Sequence, residues 1–532
     1  MPFFTFRIYI YTIMVMKKKY VSLAILPVIL TGCNQSIKLE FSPYHAFIME
    51  TSLMKEETSP ISTIFGDINS LRDLLAYSKS DKPRENINPR GERKILVVPI
   101  SFNDSEKKDL DKKTIFLQNA FFGEKNKTNY ESVASYYNKS SYGQLRLTGE
   151  VAPWVNVNIS MSECLASNEL YMDVSNKIVA TAVDYLKEHQ EENHIDFASY
   201  DTDNNDQIDG VYAIYDYPHT KDGNTNSLLW AYTHYTFEGQ FDLNKEAPFV
   251  NDYSWTSIDM ITQKDNRAYT NYIIHETGHL LGLTDYYNTA FGSKTDYHYQ
   301  PTGCFDMMDY NIGDHSSFSK YLYNWTSPTV IKDGTHKTIE LHAFSTTGEY
   351  LLVPSSKYYN SPFGEYLLIE YFIPEDMNVF HGSYSYVDKY GNTGVYRYPT
   401  YYGLRIYHVN AVLGYFKKFF NASLICTVDD PNVEEALEGQ GAVCLDYAYS
   451  NSITDKKAND GAQVLYHLLE SSGNNTFING NPASNDTLFV LGDDFGISTY
   501  QDFKFSNGES PNFTLKVTKL NTKYITLEIN KA

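Results

Sequence analysis

Tyr272-Ile273-Ile274-His275-Glu276-Thr277-Gly278-His279-Leu280-Leu281-Gly282-Leu283-Thr284-Asp285-Tyr286 is the stretch on which the reading of this chain turns. Histidines four positions apart on a helix share a face, so both imidazoles can reach a single metal ion. Zinc takes two such nitrogens and a third ligand, leaving a position open for a water whose pKa falls to roughly 7. Glu276, beside the first histidine, is then placed to take the proton of that water and pass it to a leaving amine. Gly282 suits the left-handed turn that ends a helix and sends the chain back. Asp285, three residues further on, is the expected third ligand, a surface turn residue being the other reading of it.

Downstream lies Gly303-Cys304-Phe305-Asp306-Met307-Met308-Asp309-Tyr310-Asn311. The pattern HExxHxxGxxD resembles that of metzincin-like proteases, whose last position is a His or an Asp. Gluzincins instead draw a glutamate from a later helix, and no glutamate occurs here between Glu276 and Glu340. The metzincin resemblance implies a Met-turn beneath the metal, for which Met308 fits best and Met307 is the other candidate. Tyr310 could approach the metal or donate to the oxyanion of a tetrahedral intermediate; a packing aromatic is the plainer reading.

Together with Ser135–Leu147 and Asp201–Tyr215, these segments make residues 93–330 similar to the immune inhibitor A family of bacterial metalloproteases. That resemblance implies a secreted zinc endopeptidase with ligands His275, His279 and Asp285 and Glu276 as base. The chain departs from the family at Thr284, where a proline commonly precedes the aspartate.

A second cation site is suggested by Asp201-Thr202-Asp203-Asn204-Asn205-Asp206-Gln207-Ile208-Asp209-Gly210. Oxygen side chains at alternate positions, Asp201, Asp203, Asn205, Gln207 and Asp209, can wrap a hard ion such as Ca2+. An EF-hand would need Gly where Asp206 stands and Glu where Tyr212 stands, so the candidates are a calcium loop of another type or an Asx-rich turn. His234, His298, His315 and His408 stand alone and read as structural.

The N-terminus carries an address. Met16-Lys17-Lys18-Lys19 is a basic start, Val21–Leu30 an apolar run, and Leu30-Thr31-Gly32-Cys33 resembles a bacterial lipobox. This pattern is a secretory signal too short for a membrane span. The resemblance implies lipid attachment at Cys33 and a protein on the outer face of a bacterial membrane, or secreted; residues before Met16 read as an upstream extension. With a net charge of −21, and only basic residues lost with the signal, the chain repels phosphate backbones, which argues against nucleic acid as a partner. Protein or peptide substrates are the expected partners, and a monomer the expected state. Among the remaining cysteines, Cys426 and Cys444 are the pair closest in sequence, and a disulfide between them is open in an oxidising compartment.

Hydrophobic content of 42% supplies sizeable cores. The 46 tyrosines read as half-buried sheet surface. Ile95–Ile100 is a buried strand by its continuous apolar run, and Val211–Tyr215 another. Val174, Ile178, Val179, Ala182, Val183 and Leu186 keep helical spacing, a short helix covers Ser132–Asn138, and Thr270 can cap the motif helix. After residue 330 alternation dominates, most clearly in Phe513–Val517 and Ile525–Ile529 around a hairpin at Leu520–Thr522. The fold class expected is α+β. Residues 1–33 form the lipoprotein signal and 34–92 a spacer or short prosegment. A metzincin-like zinc protease domain with mixed sheet and active-site helix spans 93–330, and a β-rich domain, expected as a sandwich, spans 331–532. The function expected is a cell-surface zinc endopeptidase. Its rivals are a zinc hydrolase restricted to cell-wall peptides and a non-catalytic binding lipoprotein.

Overall fold

Alternate residues of a strand point to opposite faces, and the apolar run Ile95–Ile100 is buried on both. Ile95 and Val97 enter one hydrophobic core, while Leu96, Val98 and Ile100 enter another. The structure, a computed structural model, describes residues 87–531 except 205, 222–223, 236–245, 251, 263–267, 290–298, 332–335, 383–384, 388–392, 396–398, 418–423, 441–442 and 453–463. The signal segment with Cys33, the spacer up to residue 86, Asn205 and His298 therefore lie outside the described residues.

Strand β1 (Gly91–Ser101) is the hub of the first sheet. Its parallel neighbours are β2 (Leu145–Val151), β3 (Val155–Asn156) and β4 (Gly210–Tyr215). A small pair, β5 (Thr220–Lys221) and β6 (Asn224–Thr225), stands apart from it. The sheet closes with β7 (Tyr232–Tyr235) and β8 (Asp252–Ser257) in the order β2-β1-β4-β8-β7. Only β7 runs antiparallel to its neighbour, and it occupies the edge. One face is covered by the helix Tyr171–Glu188, whose buried stripe is the one its spacing predicts. The other face packs against Leu110–Phe122, Val133–Ser140 and the motif helix Asn271–Leu280.

Beyond the motif, strands dominate as expected, and the described residues form a mixed α/β fold with several sheets. A second sheet begins with β9 (Thr329–Val330), while β10 (Lys337–His342) belongs to a third. The second sheet continues through β11 (Tyr350–Pro354) and β12 (Glu365–Phe372). After a hairpin, β13 (Ser385–Val387) with β14 (Thr393–Val395), it adds β15 (Gly403–Asn410). Strands β16 (Leu413–Lys417), β17 (Leu424–Thr427) and β18 (Val443–Tyr447) form a separate three-stranded sheet. Next come β19 (Tyr466–Leu469), β20 (Asp494–Phe495), β21 (Phe513–Leu520) and β22 (Tyr524–Lys531). The second sheet runs β19-β15-β12-β11-β9 and the third β10-β22-β21-β20. The hairpin read from Leu520–Thr522 is there, with β21 and β22 paired in antiparallel register.

Alternation in β12 distributes these sheets between two cores. Leu367, Ile369 and Tyr371 face a core shared with Leu515, Val517, Leu527 and Ile529 of the third sheet. Tyr366 and Leu368 join the core that contains Ile273 and Ile274 of the motif helix. The core around the motif helix thus draws residues from both sides of residue 330.

Two expectations change. Cys426 is a free thiol, as are Cys164 and Cys304. Strand β16 runs between the strands carrying Cys426 and Cys444, which stand opposite Tyr415 and Phe416 respectively, so no disulfide joins them. The tyrosines are the second correction, because many are fully buried rather than half-exposed, including Tyr130, Tyr136, Tyr137, Tyr200 and Tyr212. The hydroxyls of these five are matched to internal partners, which offsets the cost of burying them: Tyr130 donates to the Met377 carbonyl at 2.7 Å and Tyr136 to that of Gly313 at 2.9 Å.

The segment after the Met-turn candidate is held by a buried ion pair. Lys320 Nζ lies 2.6 Å from Asp314 Oδ2, with both side chains out of solvent. Ser140 Oγ donates to Asp314 Oδ1 at 2.6 Å, and Lys320 also donates to the Tyr142 hydroxyl at 3.0 Å. Burial works against both charges, lowering the lysine and raising the aspartate from their ordinary values, so each depends on the other. Lys320→Met should cost about 3–5 kcal/mol because it strands the Asp314 carboxylate. Urea unfolding of the variant against wild type checks this, and a loss below about 1 kcal/mol would refute it.

Candidate metal centre

Helix Asn271–Leu280 brings His275 and His279 onto one face with ring centroids 4.8 Å apart. An imidazole offers a nitrogen to a metal only if its other nitrogen finds a partner that fixes the tautomer. Both rings have one. His275 Nδ1 lies 2.8 Å from the Met307 carbonyl, and His279 Nδ1 lies 2.9 Å from the Leu283 carbonyl. Carbonyls only accept, so both Nδ1 atoms carry hydrogen and both Nε2 atoms are left as acceptors when the rings are neutral.

Gly282 makes the second of these contacts feasible. Its φ of 99° is left-handed, as the sequence requires, and it turns the chain so that Leu283 comes back under the helix, donating to the Gly278 carbonyl at 2.9 Å. Two residues later Asp285 enters the site. Its Oδ1 stands 3.2 Å from His275 Nε2 and 3.1 Å from His279 Nε2. Burial alone would raise the Asp285 carboxyl, yet the two imidazoles hold it well below the usual carboxylate range. Burial would likewise lower His279, but the charge and hydrogen bond of Asp285 raise it to about 9. Among the described residues these three form the one group of ligating side chains whose donor atoms gather within 4.8 Å.

The donor set is chemically suited to a zinc ion, and two of its spacings match one. Bonds of about 2.0 Å in tetrahedral geometry separate ligand atoms by about 3.3 Å, and the carboxylate oxygen stands 3.1 and 3.2 Å from the two nitrogens.

The turn Met307–Tyr310 supports all three ligands. Asp306 caps it, its Oδ1 accepting from Met308 N at 2.9 Å. Met307 contributes the carbonyl that His275 uses, and the Met308 carbonyl accepts from Tyr286 N at 2.8 Å, next to Asp285. The Met308 thioether fills the space over Gly278, where even a methyl group would collide with its sulfur. Both candidates for the expected Met-turn thus lie against the motif helix, Met307 through its carbonyl and Met308 through its sulfur. Tyr310 is half-buried and packs on the main core. The tyrosine beside these side chains is Tyr287, which sequence reading missed: its ring is 6.5 Å from that of His275, and burial together with the nearby Asp285 charge raises its hydroxyl above its ordinary value. Its position two residues past the third ligand was the available signal.

Glu276 is buried, at 6% exposure, and its Oε2 accepts from Thr233 Oγ1 at 2.8 Å. Thr233 lies on the edge strand β7, a long-range neighbour that no local motif could reveal. The helix itself is tied down by hydroxyls. Tyr137 donates to the Ile274 carbonyl at 2.8 Å, Tyr323 to that of Gly278 at 3.1 Å, and Tyr212 meets Thr277 Oγ1 at 2.7 Å. Thr270 stands at the N-cap position, but its hydroxyl donates to the Glu131 carbonyl at 2.5 Å instead of capping.

The acidic loop presents its oxygens differently. Asp209 accepts from Thr202 N at 3.1 Å and Thr202 Oγ1 at 2.5 Å, while Asp201 Oδ2 accepts from Asp206 N at 3.0 Å. Arg93 reaches the same Thr202 hydroxyl at 2.6 Å. These bonds fit the Asx-rich turn that was the other reading of the loop, and among the described residues Asp201, Asp203 and Asp209 belong to no cluster of three acidic, histidine or cysteine side chains. His315 is fully buried among Tyr136, Tyr137, Tyr323 and Trp325, and His408 bonds to buried Glu365 at 2.9 Å, both structural roles. No protein-family model matches the chain, and no curated protein matches it either.

Asp285→Ala removes one of the three donors while leaving the helix and both carbonyl contacts in place. Zinc retention should fall by roughly 100-fold or more, as read by competition with a chromophoric chelator. Unchanged retention would mean that Asp285 is not a ligand.

Proposed function

We propose that this chain is a zinc-dependent endopeptidase of metzincin type, tethered by a lipid at Cys33 or released outside a bacterial cell, with stacked C-terminal sheets forming a sandwich. The observation that carries the reading is the convergence of His275 Nε2, His279 Nε2 and Asp285 Oδ1, with both Nδ1 atoms occupied by carbonyls. When bound, zinc would supply Lewis acidity, polarising a peptide carbonyl and making a water molecule acidic near neutral pH.

The remaining work belongs to the chain. Glu276 follows directly on a ligand, so its carboxylate takes a proton from the attacking water and returns it to the amine that leaves. Its burial keeps bulk water from competing for that proton. Strand β7 ends the sheet beside Glu276, so an extended peptide laid along its edge would pass the base with its backbone paired. The acidic charge of the chain fits work on proteins and disfavours nucleic acid.

Glu276→Ala should retain zinc and lose roughly 100- to 10,000-fold in casein digestion. Equal digestion by variant and wild type, or a wild type without zinc, would sink the reading.

A further inference from the structure

The geometry assigns Thr233 as a positioning residue for Glu276, an inference that rests on the endopeptidase reading and adds a sheet-borne group to its machinery. A glutamate side chain on a helix has several free torsions, and a general base is effective only when its acceptor oxygen is held in place. Helix Asn271–Leu280 fixes the Glu276 backbone but not the carboxylate. Thr233 supplies what the helix lacks. Its Oγ1 donates to Oε2 at 2.8 Å and lies 3.1 Å from the Glu276 carbonyl oxygen, so a single hydroxyl sits against both ends of the residue. One carboxylate oxygen is thereby engaged, which leaves Oε1 as the proton acceptor.

The threonine is itself well fixed. It stands opposite Ser254 in the β7–β8 register, and a β-branched side chain has few χ1 choices. The acidic partner and the hydroxyl therefore come from different elements, and the hydrogen bond joins the helix to the sheet edge. Because Glu276 is 6% exposed, little solvent is at hand to replace a lost donor.

Thr233→Val keeps shape and strand preference while removing the hydroxyl, and Thr233→Ser keeps the hydroxyl. In the full-length, zinc-loaded protein, Thr233→Val should lower kcat on a peptide substrate roughly 10- to 100-fold, the scale of one hydrogen bond to a charged group. KM should stay within about twofold, zinc content should not change, and Thr233→Ser should recover most of the loss. Binding of acetohydroxamic acid, which chelates zinc and hydrogen-bonds to the base, gives a second readout without turnover: Thr233→Val and Glu276→Gln should weaken it alike. Wild-type kcat in Thr233→Val overturns the proposal, and so does an equal loss in Thr233→Ser, which would signal packing alone. If wild type proves inactive on peptides, weakened acetohydroxamate binding in Thr233→Val supports the positioning role while the endopeptidase reading falls; unchanged binding overturns the role itself.

Discussion

Two hydrogen bonds, from His275 Nδ1 to the Met307 carbonyl and from His279 Nδ1 to the Leu283 carbonyl, set the requirement that the surrounding structure meets. They decide which nitrogen of each ring faces inward. Without them an imidazole on a helix face is free to rotate about χ2 and to exchange tautomers, and a third ligand would have no defined pair to meet. Each acceptor carbonyl must arrive from outside the helix. One comes from the chain reversed at Gly282 and the other from the turn capped by Asp306, so two separate loops have to be placed to within a few tenths of an ångström.

That placement explains the unusual composition of the core. A helix that carries polar ligands cannot be held by apolar contact alone, since apolar surfaces slide more easily than they lock. Here Tyr137 and Tyr323 bond to carbonyls of the helix itself, and Tyr212 to Thr277. Each of these rings buries a large area and ends in a directional donor. The abundance of tyrosine, which composition suggested as a sheet surface, is in part this internal bracing.

The helix that carries His275 and His279, the left-handed Gly282 and the arrival of Asp285 were legible in sequence, because local spacing on a helix and a turn dictates them. So were β1, the helix Tyr171–Glu188 and the final hairpin, where period alone identifies the element. The partners of Glu276 and Asp285 were not. Thr233 is 43 residues from Glu276 in the chain and meets it only because β7 returns antiparallel along β8. The separation of Cys426 from Cys444 follows from the insertion of β16 between their strands, a matter of strand order that spacing cannot report. The acidic loop shows the converse limit. Alternating oxygens satisfy a calcium pattern and an Asx turn equally, and spacing cannot report contacts such as those of Thr202 with Asp209 and Arg93.

The C-terminal half belongs to the scaffold of the His275–His279–Asp285 cluster, although its strands contribute none of the three side chains. Asn451 Nδ2 donates to the Tyr286 carbonyl at 2.7 Å, one residue past Asp285, and the Tyr466 ring packs 4.8 Å from that of Tyr286. Glu370 on β12 accepts from Ser317 N at 2.9 Å, and it pairs with Arg405 on β15, whose guanidinium packs on the rings of both Phe305 and Phe372. Gly303, at φ 60°, is closed over by Phe477 and accepts from Ala483 N at 2.7 Å, which seats the loop leading into Asp306. A carboxylate ligand on a short loop has little intrinsic rigidity. Here that rigidity comes from the second sheet, and the core draws residues from both sides of residue 330 for the same reason: the loops that aim the ligands need a packed surface on their far side.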